Sequence, residues 1–427
     1  MPENYYRPKY PLKINLNQRY LIDQSDKPFL LQGDAPWSLI VGISRGEVER
    51  YLSDRKEKGF NTLLVNLIEH RFCKDPPNNF YGEAPFTTPG DFSTPNENYF
   101  EHADWVIRRA AEFDIQILLC PVFLGIPKSD HGWYDELIAL SLEKCLEYGS
   151  FLGKRYSSYD NILWSIGCDR NPCPDGLERM NMIALGIKQH DHRHLMTAQC
   201  YPESSSVDIF SSGGWLDVNA TYTYSIVHRK VMIDYNRSPI MPVFLIESSY
   251  EGMHNASDAQ IRRQAYWSVL CGGFGHVFGN FAIWPFGVEY GNGDEWPKSK
   301  ETWQTELDKP GSFGMKYFGD FFRSLPWNKL IPDQKHVIVT SGLGEFRGLD
   351  YLATAISEDG RTLVGYMPTA RTIVIDLSKI RGNSAKFSWY DPSNGKSIPM
   401  GQFPTQSSKE FTPPSQGDWA FVTEGVP

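Results

Sequence analysis

Residues 241–255 read MPVFLIESSYEGMHN. Val243 to Ile246 form a short apolar run bounded by turn-forming residues, and a helical pattern starts near Ser257. This predicts a buried strand of a parallel sheet whose end delivers Glu247 into a polar loop carrying Ser248, Ser249 and Gly252. A second stretch has the same form. In NILWSIGCDRNPCPDG, residues 161–176, Ile162 to Ile166 read as a strand and Asp169 stands just past it. In barrels of strand–helix units, chemistry sits at the carboxyl ends of the strands. Either carboxylate alone reads more readily as a helix cap or the partner of a lysine. Two at equivalent strand ends, amid aromatic residues, point instead to a pair facing one substrate.

Working outward, six further runs complete a set of eight. They are Phe29 to Leu31, Phe60 to Leu67, Ile115 to Cys120, His194 to Ala198, Leu216 to Thr221 and His276 to Ile283. Helical patterns alternate with them. One begins at Ser44, with Glu47 at the capping-box spacing, and another carries Phe100, Ala103, Val106, Ile107 and Ala110. Continuous apolar strands are expected where both faces of a sheet are covered. The pattern predicts an α/β fold, a (β/α)8 TIM barrel over residues 28–329. A doubly wound sheet competes, but GDAPW after the first strand offers no G-x-G-x-x-G phosphate loop. From residue 330 to 427 the pattern is all strand, with turns at Ser357 to Gly360 and Ser393 to Gly395, which predicts an antiparallel β-sandwich domain. Residues 1–27 read as a short lead-in packed on the barrel or on the sandwich. Residues 73–98, full of Pro, Gly and Asn, form a long loop expected to overhang the catalytic face.

Composition narrows the function. The 427 residues carry a formal charge of -9 and show no basic block, which argues against a nucleic-acid partner. No apolar run reaches membrane-spanning length, so no membrane insertion is expected. The first residues lack the apolar core of a signal peptide. The protein is therefore expected in the cytoplasm, or in the periplasm or outside the cell if a leader has been removed. Seven scattered Cys argue against a disulfide scaffold or a structural zinc, and Cys168 and Cys173, bracketing the Asp169 loop, are expected as thiols rather than a pair. No H-E-x-x-H and no metal-ligand spacing occur, so no metal or cofactor is called for, and no G-x-S-x-G marks a serine hydrolase. The 12 Trp and 22 Tyr supply ring faces suited to stacking on sugars.

Glycoside hydrolysis needs one carboxyl protonated beside the leaving oxygen and one ionised beside the anomeric carbon. Asp169 is placed as general acid/base, its proton retained by an apolar setting and a second carboxylate nearby. Arg170 would undo this if it paired with Asp169. Glu247 is placed as nucleophile, ahead of Glu251, because strand ends fix geometry better than loops. Ser248, Ser249 and Tyr250 are candidates to donate to it. Substrate-binding candidates at the other strand ends are Asp34 and Trp37, Asn66 and His70, Asn171, Tyr222 and Tyr224, and Trp284. Of the ten His, His70, His254 and His276 fall near the expected mouth.

GDAPW at Gly33 to Trp37, WSIGCDRNP at Trp164 to Pro172, FLIESSYEG at Phe244 to Gly252 and the barrel end at Trp284 resemble the apiosidase-like glycoside hydrolases, family 140, of the retaining clan A. The resemblance covers the whole chain, its last part resembling a sandwich labelled as collagen-binding. It implies Asp169 as acid/base, Glu247 as nucleophile and exo action on a terminal sugar of a plant polysaccharide side chain, such as the apiose branch of rhamnogalacturonan II. The family's G-G-D is here Gly167-Cys168-Asp169. Another specificity, such as an arabinofuranosidase, stands close behind. A noncatalytic carbohydrate-binding or matrix-adhesion protein stands further off, and the sandwich reads more readily as a brace than as a binding module.

Overall fold

The computed structural model describes residues 7–167, 169–287 and 302–427. A small antiparallel sheet, β1 (Lys13–Ile14), β2 (Leu21–Ile22) and β3 (Pro28–Phe29), opens the chain. Phe29 belongs to this sheet, paired with Leu21, and the first barrel strand begins two residues later. Tyr10 ties the segment to the barrel floor by donating to the carbonyls of Asn61 and Asp114.

The barrel strands are β4 (Leu31–Asp34), β5 (Thr62–Asn66), β6 (Gln116–Cys120), β7 (Ile162–Gly167), β8 (Met196–Gln199), β10 (Asn219–Tyr222), β11 (Val243–Glu247) and β12 (Gly275–Phe278). All neighbours pair in parallel, in the order β8-β7-β6-β5-β4-β12-β11-β10. Every residue of these strands is buried, which is why they show no in–out alternation of apolar and polar residues. The two-residue β9 (Ser204–Ser205) adds antiparallel to β10. Between β8 and β10 the circle closes without a regular ladder: the Met196 carbonyl accepts from the N–H groups of Asp217 and Val218, and side chains do the rest. Thr197 Oγ1 donates to the Val218 carbonyl at 2.7 Å, and the Ser206 hydroxyl donates to the Ala198 carbonyl at 2.6 Å while accepting from Ala220 N–H. The helix Arg45–Glu57 starts in a capping box formed by Ser44 and Glu47, as the spacing predicts.

The eighth strand is shorter than its apolar text. It stops at Phe278, and Asn280 Oδ1 accepts from the N–H groups of Ala282 and Ile283, turning the chain so that Trp284 reaches the barrel mouth. The long loop over 73–98 does not roof that mouth. Its Phe86 and Phe92 pack against Trp133 and Tyr148 in the core, because aromatic rings in a polar loop still seek cover.

The C-terminal domain is two antiparallel sheets. One comprises β13 (Leu330–Pro332), β15 (Ala353–Ser357), β16 (Thr362–Met367), β21 (Trp419–Val426), β18 (Ser384–Asp391) and β19 (Lys396–Pro404); the other β14 (Val339–Ser341), β17 (Ile373–Asp376) and β20 (Ser408–Phe411). Trp389 is in the core between them, beside Phe387 and Phe421, whereas Tyr390 faces the barrel against Phe321. The domain is bolted to the barrel helix Asp258–Leu270. Arg262 makes a buried two-pronged pair with Asp418, both contacts at 2.8 Å, and Tyr366 donates to the same carboxylate. Tyr266 stacks on Tyr366, and Trp267 donates to the Tyr351 carbonyl.

Candidate active site

At the carboxyl end of the barrel lies a cavity of about 100 Å³. Trp37, Asn66, Phe72, Phe123, His131, Asp169, Tyr222, Tyr224, Glu247, Tyr250, Met253 and Trp284 line it. Eight of the twelve are aromatic or apolar, and two, Asp169 and Glu247, are carboxylates.

Glu247 ends β11 and is 8% exposed. A register shift beside Thr221 makes Tyr222 the partner of Glu247, where an unbroken ladder would have placed Ile246. Gln199 Nε2 donates to Glu247 Oε2. Tyr222 and Tyr250 add phenol hydrogen bonds that favour its charged form. Tyr250 can spend its proton there because its oxygen accepts from Trp37 Nε1 at 2.9 Å. Its ring lies over Gly279, where a Cβ would come within 2.3 Å of it. Ser249 is engaged elsewhere, its hydroxyl by Gln260 and its carbonyl by Gln264. The expected serine donor is thus replaced by an amide and two phenols.

Asp169 follows Gly167, and both have positive φ, +96° for Gly167 and +51° for Asp169. A non-glycine residue there is strained, a condition typical of functional turns. Asp169 Oδ1 accepts from Tyr222 Oη at 3.2 Å, and its backbone N–H donates to Gln199 Oε1 at 3.3 Å. It caps no helix: the next one, Pro174–Lys188, has Cys173 at its N-cap. Arg170 turns its guanidinium over the Tyr201 ring, 5.0 Å from the centroid, and only modestly offsets the carboxyl's burial.

Burial pushes the Asp169 carboxyl up to about 6, against the pull of Tyr222 and Arg170. Burial and the neighbouring Asp169 charge also raise Glu247 well above the ordinary carboxylate range, opposed by its three donors. Two such groups titrate as a pair, one proton between them over a wide pH range. Tyr222 and Tyr250 are themselves pushed well upward by burial and remain donors.

Asn66 ends β5. Glu69 accepts from its Nδ2 at 2.8 Å, so the amide oxygen is the end left for the cavity. That oxygen is buried with no hydrogen-bond partner among the described residues. Tyr224 reaches the mouth with its hydroxyl 2.8 Å from that of Tyr222, and Trp284 meets the edge of Phe72 at 4.8 Å.

Three expected binding residues lie off the cavity. Asp34 is fully buried with its carboxylate on Tyr51 Oη and Arg55 Nε, because its side chain leaves the strand toward the helix Arg45–Glu57. His70 is held between the Glu136 carboxylate at 2.9 Å and the Asp130 carbonyl at 3.1 Å. Asn171 braces the neighbouring loop through Tyr201 N–H and Ser204 Oγ. His254 is exposed and His276 is sealed in the barrel wall, so the histidine that lines the cavity is His131. The rival Glu251 is tied to Gly311 N–H and Asn280, well placed to join loops. Gln199, Phe72, Phe123, His131 and Met253 were not singled out by the sequence. Gln199 sits one residue past the apolar text of its strand, and the others lie on loops without a periodic signal. Cys173 is a free thiol, and Cys168 lies outside the described residues. Among the described residues no cluster of three His, Cys, Asp or Glu could hold a metal, and no helix is long and apolar enough to cross a membrane.

An eight-stranded barrel with two carboxylates at one aromatic mouth is the architecture of a glycoside hydrolase. Residues 15–329 match the "Apiosidase-like, catalytic domain" model, and the chain belongs to that family. Residues 331–424 match the "Putative collagen-binding domain of a collagenase". Among solved structures, a protein titled glycoside hydrolase is 26% identical with a TM-score of 0.86, covering 99% of this chain and 99% of its own. A glycoside hydrolase family 5 protein from Bacteroides vulgatus is 26% identical with a TM-score of 0.85, covering 97% of this chain and 93% of its own. An endo-1,4-beta-mannanase from Rhizomucor miehei shares the fold alone, at 14% identity and a TM-score of 0.52 over 74% of this chain and 99% of its own. No curated protein matches the chain.

Proposed function

We propose that the protein is a retaining, exo-acting glycoside hydrolase that removes a terminal sugar from a plant polysaccharide side chain, with apiosidase-like specificity. Asp169 is the general acid/base and Glu247 the nucleophile. The observation that carries the reading is the pair itself. Both carboxylates border one compact cavity and share the Tyr222 phenol.

In the first step Glu247 attacks the anomeric carbon while Asp169 protonates the leaving oxygen. In the second, Asp169 takes a proton from water as it displaces Glu247. Burial lets Asp169 hold a proton near neutrality, which an ordinary Asp at about 3.9 does not. Burial also raises Glu247, and its three donors work against that rise and favour the charged form that attack requires. The aromatic walls suit a sugar ring's apolar faces, and Asn66 Oδ1 suits one of its hydroxyls. A cavity of this size favours one terminal sugar over a threaded chain. The sandwich is read as a brace, on the strength of its buried Arg262–Asp418 pair.

Azide rescue on an aryl glycoside tests the two roles. Asp169→Ala should regain turnover with azide and give a glycosyl azide of retained configuration. Glu247→Ala should give only the inverted azide. The opposite pairing of variant and product would mean the roles are reversed, and full activity in either variant would remove that residue from the mechanism. A panel of aryl pentosides and hexosides decides between apiose and arabinofuranose specificity.

A further inference from the structure

Gln199 is the last residue of β8, and its partner across the ladder is Gly167 on β7. A Cβ at position 167 would lie 2.5 Å from the Gln199 carbonyl oxygen, so glycine is what lets these two strand ends close up. The Gln199 amide then touches both acidic residues. Its Oε1 accepts from the backbone N–H of Asp169, and its Nε2 donates to Glu247. The orientation is forced. A backbone N–H can only donate, so the amide oxygen must face Asp169 and the NH2 must face Glu247.

We propose that Gln199 is a positioning residue that biases the charge within the pair, favouring Glu247 as the carboxylate and Asp169 as the carrier of the proton. This rests on the acid/base and nucleophile reading above. A fixed N–H donor stabilises an ionised carboxylate oxygen more than the same oxygen of a neutral acid. The other groups facing the pair are adjustable. Tyr222 has one proton to divide among Asp169, Glu247 and Tyr224. Tyr250 can rotate its O–H, Arg170 is turned onto Tyr201, and His131 borders the cavity. Among these the Gln199 amide is the donor whose polarity cannot be reversed. It also ties the backbone of the acid to the side chain of the nucleophile, so that neither moves without the other.

The test uses the full chain, labelled with 13C at Asp and Glu side-chain carboxyls, in wild type, Gln199→Leu and Gln199→Glu. Asp169→Asn and Glu247→Gln assign the signals. In Gln199→Leu the Glu247 midpoint should rise by about one unit or more and that of Asp169 should fall, as the proton moves to Glu247. On an aryl glycoside its kcat should drop roughly 10- to 100-fold with KM within about threefold, and the acid limb of the rate profile should shift to higher pH. Gln199→Glu should work only at low pH, where the introduced carboxyl is protonated and can still donate to Glu247. That comparison is made within one folded protein, so it stands even if the Leu variant is unstable. Unchanged midpoints in Gln199→Leu, a loss confined to KM, or a Gln199→Glu profile like that of wild type would each overturn the assignment. If the wild type cleaves no glycoside yet the midpoints move as described, the assignment holds and the hydrolase reading is what fails.

Discussion

Tyr222 donates to Asp169 at 3.2 Å from a strand position directly opposite Glu247. The break in register between β10 and β11 creates this relationship. With an unbroken ladder Tyr222 would stand opposite Ile246 instead. Removing the hydroxyl while keeping the ring isolates its contribution. Tyr222→Phe is expected to lower kcat roughly 10- to 100-fold, the worth of a hydrogen bond to a charged group, with little change in KM or melting temperature. A variant with wild-type kcat would show that the phenol is only packing.

Asp169 should cost the fold stability when it is charged. Burial raises its native pKa to about 6 from an unfolded value of about 3.9, so the native state binds the proton more tightly than the unfolded chain. The stabilising term is full below about pH 4 and is lost as pH rises through 6. Asp169→Asn removes the titration. The variant is expected to be more stable than wild type by about 1–2 kcal/mol above pH 7, discounted for the water that reaches the cavity, with the gain vanishing toward pH 4. Thermal melts at pH 4, 6 and 8 check it; a gain that is constant with pH would contradict the ionisation account.

Much of this was legible in the sequence, and what was not has a physical cause. A strand end followed by a carboxylate can be read, and Asp169 and Glu247 both border the cavity. Which way a strand-end side chain points could not be read at Asp34. Strands buried on both faces show no alternation, so nothing reveals whether a residue faces the mouth or the helices. Asp34 proved to be the partner of Tyr51 and Arg55. His70 was drawn off by Glu136, a residue 66 positions away, a contact no local pattern contains. His131 and Phe123 enter from a loop whose path depends on Gly125 and Gly132, both at positive φ. The left-handed turn at Asp169 is open to an Asp more readily than to most residues, but no local pattern announces it.

Asn66 gives a handle on recognition. Glu69 holds its NH2, so the amide presents an acceptor to the cavity. Asn66→Ala is expected to raise KM for a glycoside substrate about 5- to 50-fold while sparing kcat more, consistent with a lost sugar hydroxyl contact. Inhibition by the free sugar should weaken by a similar factor. A purely thermal effect, with KM unchanged, would assign Asn66 to the scaffold.

The Arg262–Asp418 pair should separate bracing from catalysis. Both residues are buried, at 5% and 8% exposure, so removing Asp418 leaves Arg262 with Asp258 as its remaining carboxylate and takes the acceptor from the Tyr366 hydroxyl. Asp418→Ala is expected to destabilise the protein by about 2–3 kcal/mol, less than a fully stranded buried charge would cost because Asp258 still pairs with Arg262. The folded fraction should keep its kinetic constants, since the pair lies on the barrel's flank. Denaturant unfolding and steady-state assays on the same preparation check both halves.

The most direct measurement of the central claim is the configuration of the sugar first released. A proton NMR time course on an aryl glycoside, started within a minute of adding enzyme, reads the anomeric signals before mutarotation mixes them. Double displacement through Glu247 predicts that the product appears with the substrate's own anomeric configuration, the opposite anomer growing in later at the uncatalysed rate. First appearance of the inverted anomer would contradict the account, because it would mean that water, not Glu247, attacks the sugar.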